Sequence, residues 1–153
     1  MSLLRPDFEA LLMVLVVDDD PEQVDILIRF LSQNRMVLLP AYSGQQCLDL
    51  VRHNPIDVLI LDVVMPGMGG LEVCAALKEE IASRSIAVII LTARDDMRTR
   101  LEGMKLGVSE FMVKPAKGQE LVARIQAQVE MCRKIRELEP TVAHANENLK
   151  ARE

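Results

Sequence analysis

Five short apolar runs divide this 153-residue chain: Leu12–Val17, Met36–Leu39, Val58–Leu61, Ile86–Leu91 and Phe111–Val113. They are rich in Val, Ile and Leu and do not alternate with polar residues, the pattern of strands buried on both faces. Helical spacing fills the gaps. Val24, Leu27, Ile28 and Leu31 fall at i, i+3, i+4, i+7, and Cys47, Leu48 and Val51 repeat that stripe more briefly. Leu71, Cys74, Leu77 and Ile81 form a third stripe, and Met97, Leu101 and Met104 a fourth. Asp20 before Pro21 reads as N-cap then N1, and Ser43 with Gln46 has capping-box spacing. Strand and helix alternating five times predict one doubly wound α/β domain on a parallel sheet.

The composition narrows the partners. No apolar run approaches the roughly 18 residues of a membrane span, and no signal peptide is evident, so a soluble cytoplasmic chain is expected. The three cysteines, Cys47, Cys74 and Cys132, are widely spaced among apolar neighbours and read as reduced, buried thiols. The net charge is −5, yet residues 121–153 carry six Lys and Arg against five Asp and Glu. The acidity therefore lies in the body, which excludes the basic face that nucleic acid requires. Aromatics are 3% with no Trp, which leaves no stacking platform for bases or sugars.

The C-terminal region has its own pattern. Val122, Ile125, Val129 and Cys132 form a stripe able to pack a fifth helix on the sheet. Beyond it Met131, Ile135, Leu138, Val142, Ala145 and Leu149 follow 4-3-4-3-4 spacing, a heptad seam interrupted by Pro140. The expected organisation is a leader or cloning remnant over 1–11, a core domain over 12–130, and a helical extension over 131–153. That extension suits a coiled-coil linker or homodimer, feeding an output domain beyond residue 153.

In a parallel sheet every strand C-terminus lies on one edge, where open α/β folds bind ligands. The first run is followed by Asp18-Asp19, the third by Asp62, the fourth by Thr92 and the fifth by Lys114-Pro115. Three carboxylates, a hydroxyl and an ammonium thus converge from four strands far apart in sequence. Crowded carboxylates repel unless a cation sits among them, and an all-oxygen set suits Mg²⁺ better than Zn²⁺. A divalent ion beside a hydroxyl and a Lys binds a phosphoryl group, and a carboxylate there can attack phosphorus to give an acyl phosphate. Any one of these residues alone reads as a cap or a surface charge; the set carries the signal.

These motifs have a family likeness. Val14–Asp19 with Asp20-Pro21, Asp57–Asp62 followed by Met65-Pro66-Gly67-Met68, Leu91-Thr92-Ala93, and Phe111 with Lys114-Pro115 resemble the receiver domain of two-component response regulators across about residues 12–130. The resemblance implies a flavodoxin-like (βα)5 sheet in order 2-1-3-4-5. It implies Asp62 as phosphoacceptor, Asp19 as direct Mg²⁺ ligand beside Asp62 and the Val64 backbone carbonyl, and Asp18 acting through water. Thr92 and Lys114 resemble the switch hydroxyl and the phosphate-pairing Lys, and Phe111 the aromatic second switch residue. Lys114-Pro115 matches a position that is cis in the family. Gly69 stands where the family often has Asp, which implies a weaker third-helix cap and a looser loop after Asp62. Val64 and Arg94 flank the path by which water would reach the phosphoryl group, and small Ala93 keeps the site open to a donor.

The function so implied is a phosphorylation switch and not an enzyme. A sensor histidine kinase or phosphotransfer protein supplies the phosphoryl group, and the face of the fourth helix, fifth strand and fifth helix carries the output. A Mg²⁺-dependent phosphatase with an aspartyl nucleophile is one rival, although Val64, two residues past Asp62, cannot donate a proton. A flavin or nucleotide module on the same fold is another; the chain lacks both G-x-x-x-x-G-K-[ST] and G-x-G-x-x-G.

Overall fold

A computed structural model of the chain describes residues 11–32, 34–80, 86–93, 96–115 and 118–131. Five parallel strands, β1 (Leu12–Val17), β2 (Met36–Ala41), β3 (Val58–Asp62), β4 (Ala87–Thr92) and β5 (Glu110–Val113), form one sheet in the order β2-β1-β3-β4-β5. This is the expected doubly wound topology. The helices are α1 (Pro21–Leu31), α2 (Gly44–His53), α3 (Gly70–Glu80), α4 (Met97–Lys105) and α5 (118–131). The proposed leader, Ile81, Arg94, Cys132, Pro140 and the heptad seam beyond Met131 lie outside the described residues.

Burial follows the strand order. The inner strands β3 and β4 are buried at every residue, whereas the edge strands β2 and β5 are only partly covered. Pro40 sits in edge strand β2, where a missing backbone N–H costs least. Successive strand side chains point to opposite faces, so one sheet builds two cores. Leu15, Val17, Leu59, Leu61 and Ile90 pack under α2 and α3 through Cys47, Leu48, Val51, Val73 and Leu77. Val14, Val16, Val58, Ile60, Ile89 and Leu91 pack under α1 and α5 through Val24, Leu27, Leu31, Leu121 and Ile125. Each fully buried Leu or Ile contributes about 1.5–3 kcal/mol relative to exposure. Cys47 and Cys74 are free buried thiols, both pushed up to about 12 by burial, with Cys74 adding to the shift at Cys47. They are packing residues without thiolate character.

The local signals hold with two adjustments. Asp20 caps α1, accepting from the Glu22 N–H at 3.0 Å, with Pro21 at the first position. Ser43 accepts from the Gln46 N–H at 3.1 Å, but the Gln46 side chain reaches back to the N–H of Tyr42, one residue outside the expected box. On α4 the stripe of Met97, Leu101 and Met104 is helical, as its spacing requires, yet it faces solvent, with 69%, 52% and 67% of each residue exposed. The inward side of α4 is Gly103, about a third of a turn away.

α3 begins at Gly70 without a side-chain N-cap, in keeping with Gly69 at the preceding position. Backbone contacts replace the cap: the Gly70 N–H donates to the Val63 carbonyl at 2.9 Å, and the Val73 N–H to that of Gly69 at 3.0 Å. A Cβ on Gly70 would stand 2.5 Å from the Asp62 carbonyl oxygen, so only glycine lets α3 close on the end of β3. Gly70→Ala is expected to cost about 1–3 kcal/mol through this overlap. Denaturant unfolding checks it; an unchanged midpoint would show that the joint has slack.

Candidate functional site

The sheet registers bring the strand ends level. Asp62 pairs with Leu91 across β3 and β4, and Thr92 with Val113 across β4 and β5. The chain is then tied beyond the strands. The Asp18 N–H donates to the Ala41 carbonyl at 3.2 Å, the Val63 N–H to that of Leu91 at 3.3 Å, and the Lys114 N–H to that of Thr92 at 2.7 Å. These bonds aim Asp18, Asp62, Thr92 and Lys114 from four strands at one edge. The Lys114-Pro115 bond is cis.

Asp18, Asp62 and Thr92 are the buried polar residues among those described, while Asp19 is exposed. One carboxylate oxygen from each of Asp18, Asp19 and Asp62 falls within 4.8 Å of the others. Lys114 reaches over them, its Nζ 3.0 Å from Asp18 Oδ2 and 3.3 Å from Asp62 Oδ1. The second Asp18 oxygen accepts from the Asp20 N–H at 3.0 Å, so both Asp18 oxygens have a partner. The cleft above has a volume of about 530 Å³ and is lined by Asp18, Asp19, Asp20, Gln23, Asp62, Lys114 and Pro115.

Burial pushes the Asp62 carboxyl above the usual carboxylate range, and the Asp18 charge adds to the push. Lys114 and a hydrogen bond from the Val64 backbone oppose that shift without cancelling it. For Lys114, burial alone favours the neutral amine, but the hydrogen bond to Asp18 and the charges of Asp62 and Asp18 outweigh it and raise the ammonium's pKa. One lysine is thus shared by Asp18 and Asp62, and the balance still disfavours the ionised Asp62 carboxylate. The donor set fits a hard divalent cation: three clustered carboxylates, all oxygen, open to water on the Asp19 side.

The structure gathers Asp18, Asp19, Asp62 and Lys114 into one cleft, with Thr92 at the adjoining strand end. Val64 lies on the loop after β3, 76% exposed. Phe111 is half-buried against α4, away from the cleft lining. Gln23 lines the cleft unforeseen; its place one helical turn after the Asp19–Asp20 pair is the signal that points to it.

Known proteins share this fold and sequence pattern. The profile of the response regulator receiver domain matches residues 14–126. The chain is 35% identical over 116 residues to the response regulator GtcR of Aneurinibacillus migulanus, covering 76% of this chain and 47% of that protein. It is 39% identical over 114 residues to the response regulator MprA of Mycobacterium sp. strain KMS, covering 74% and 49%. A response regulator receiver domain protein from Clostridium thermocellum superposes with a TM-score of 0.75 at 28% identity, covering 81% of this chain and 98% of that one. The fold and site thus define a signalling domain with an acidic cleft at the sheet edge. The chain belongs to the response regulator receiver domain family of two-component signalling. It spans about half the length of the curated relatives it matches.

Because the folded-state pKa of Asp62 is raised, its ionised form opposes folding, and that penalty is present above the raised pKa. Asp62→Asn is therefore expected to raise the thermal midpoint of the metal-free protein by a few degrees at neutral pH. The gain should shrink as pH falls through the carboxylate range, where the wild-type group takes up a proton. Calorimetry checks both; a lower midpoint for Asp62→Asn at neutral pH would contradict the charge balance.

Proposed function

We propose that this domain is a phosphorylation switch in which Asp62 takes a phosphoryl group from the phosphohistidine of a sensor kinase or phosphotransfer protein. The observation that carries the reading is Lys114 Nζ lying between Asp18 and Asp62, at 3.0 and 3.3 Å, on the floor of an open cleft. An Asp62 oxygen attacks phosphorus, the O–P bond forms as the donor's P–N bond breaks, and the leaving imidazole takes up a proton. Asp62 ends a fully buried strand, so its carboxylate is held in place for in-line approach. Lys114 pairs with a phosphoryl oxygen once the charge on Asp62 is esterified, and the Thr92 hydroxyl turns toward the new oxygens. Asp19, Asp62 and the Val64 carbonyl would hold Mg²⁺, with Asp18 acting through water. When bound, the ion neutralises charge on the phosphoryl oxygens.

Phe111 follows Thr92 and biases the face made by α4, β5 and α5. Met97, Leu101 and Met104 on α4 and Val113 on β5 are exposed apolar side chains, which suits a surface that meets a partner or output domain. In this reading residues 12–130 are the receiver. The segment 131–153, which lies outside the described residues beyond Met131, is a helical linker able to pair as a coiled coil with a second copy. A cytoplasmic location fits a kinase partner; among the described residues no helix is long and apolar enough to cross a membrane.

Incubation with acetyl phosphate and Mg²⁺, followed by mass spectrometry, tests the chemistry. One phosphoryl group per chain is expected, base-labile and mapped to Asp62, with none on Asp62→Asn. Equal labelling of both proteins would overturn the assignment. For the output face, Leu101→Gln is expected to change stability by no more than about 0.5 kcal/mol, as at other exposed sites, while weakening partner binding. A large loss of stability would place Leu101 in the core instead.

A further inference from the structure

α4 meets the body through one buried residue, and that residue is a glycine. Gly103 is its buried residue, and a Cβ there would stand 2.3 Å from Phe111 Cζ and 3.1 Å from Cε1. The ring therefore rests directly on the helix backbone. Arg100, one turn earlier, holds its guanidinium carbon 5.7 Å from the ring centroid, within the cation–π range of about 6 Å. The same spot closes the helix. The Val108 N–H donates to the Gly103 carbonyl at 2.9 Å and the Gly107 N–H to that of Met104 at 3.2 Å, with Gly107 at φ +86°. Val108 Cγ2 lies 3.3 Å from the same Cβ position. Three contacts meet on one residue that has no side chain.

A glycine inside a helix lowers the folding equilibrium about fivefold against alanine, so its place here follows from what it admits. We infer that Gly103 is a positioning residue: it forms, with Arg100, a seat for Phe111 through which movement of the ring becomes movement of α4. With the ring in the seat, α4 is docked. With the ring out, α4 loses its buried anchor, and the exposed Met97, Leu101 and Met104 on its outer side shift with it. The relay rests on the proposed role of Phe111 as a switch residue; the seat itself rests on the distances alone.

A double-mutant cycle tests the seat. In a Phe111→Leu background, which removes the ring atoms nearest Gly103, Gly103→Ala is expected to raise the folding equilibrium about fivefold, the ordinary helix gain. In the wild-type background the same change is expected to lower it, a reversal of sign that a local helix effect does not produce. If Gly103→Ala alone does not fold while the double variant does, the seat stands. Equal stabilisation in both backgrounds would overturn it. Hydrogen exchange at the amides of residues 97–105 tests the relay, with beryllofluoride and Mg²⁺ as the phosphoryl mimic and fluorine resonances reporting its uptake. Wild type should change exchange in α4 several-fold on uptake, and Gly103→Ala should take up the mimic with most of that change lost. An undiminished change would overturn the relay. A wild-type chain that takes up no beryllofluoride would overturn the Asp62 reading and the relay with it, while the cycle still decides the seat.

Discussion

Three carboxylates held within 4.8 Å at a sheet edge, with one lysine to answer them, are the constraint on which the rest of this molecule turns. A chain free to choose would spread those charges into water, since like charges at this range raise one another's pKa. Here the fold forbids it. Asp18 and Asp62 each follow four consecutive buried residues on two adjacent strands, so neither carboxylate can leave without dragging the core. The energy that crowds them comes from the two apolar layers, and what it holds is a cleft with a standing demand for positive charge.

That demand links the chemistry to the fold. Lys114 satisfies part of it, and its own charge is held on by the acids around it. Esterifying Asp62 would add phosphoryl oxygens beside Lys114, so the balance of charge at the cleft next to Thr92 would change at one point. A change there can travel because β4 and β5 are in register: Thr92 ends β4 opposite Val113, and Phe111 lies two residues earlier on β5. The phosphorylation reading therefore needs no moving part beyond side chains at the ends of two paired strands and the helix laid over one of them.

Much of this is written in the sequence. Non-alternating apolar runs identify the strands because a parallel sheet is covered on both faces. Adjacent runs ending in Asp18-Asp19, Asp62, Thr92 and Lys114 locate the cleft because all parallel strands end on one edge. Less legible are features decided by contacts across long sequence distances. The stripe of Met97, Leu101 and Met104 has the spacing of a buried face, and periodicity cannot say which side of α4 meets the sheet. Gly103 decides that, through its contact with a ring eight residues on. Gly70 is similar: the missing cap at Gly69 reads as weakness, whereas the close approach of Gly70 to the Asp62 carbonyl ties the loop to β3. On α5 the inward face centres on Leu121 and Ile125, a slight rotation from the stripe of Val122, Ile125 and Val129.

The most direct measurement is a calorimetric titration of the metal-free protein with Mg²⁺, alongside Asp19→Asn and Asp62→Asn. The expected result is one ion bound per chain, with affinity reduced about tenfold or more in each variant, as loss of a charged oxygen ligand from a hard-cation site entails. Binding of equal strength in all three proteins, or no binding in wild type, would contradict the view that the fold assembles these carboxylates around a cation.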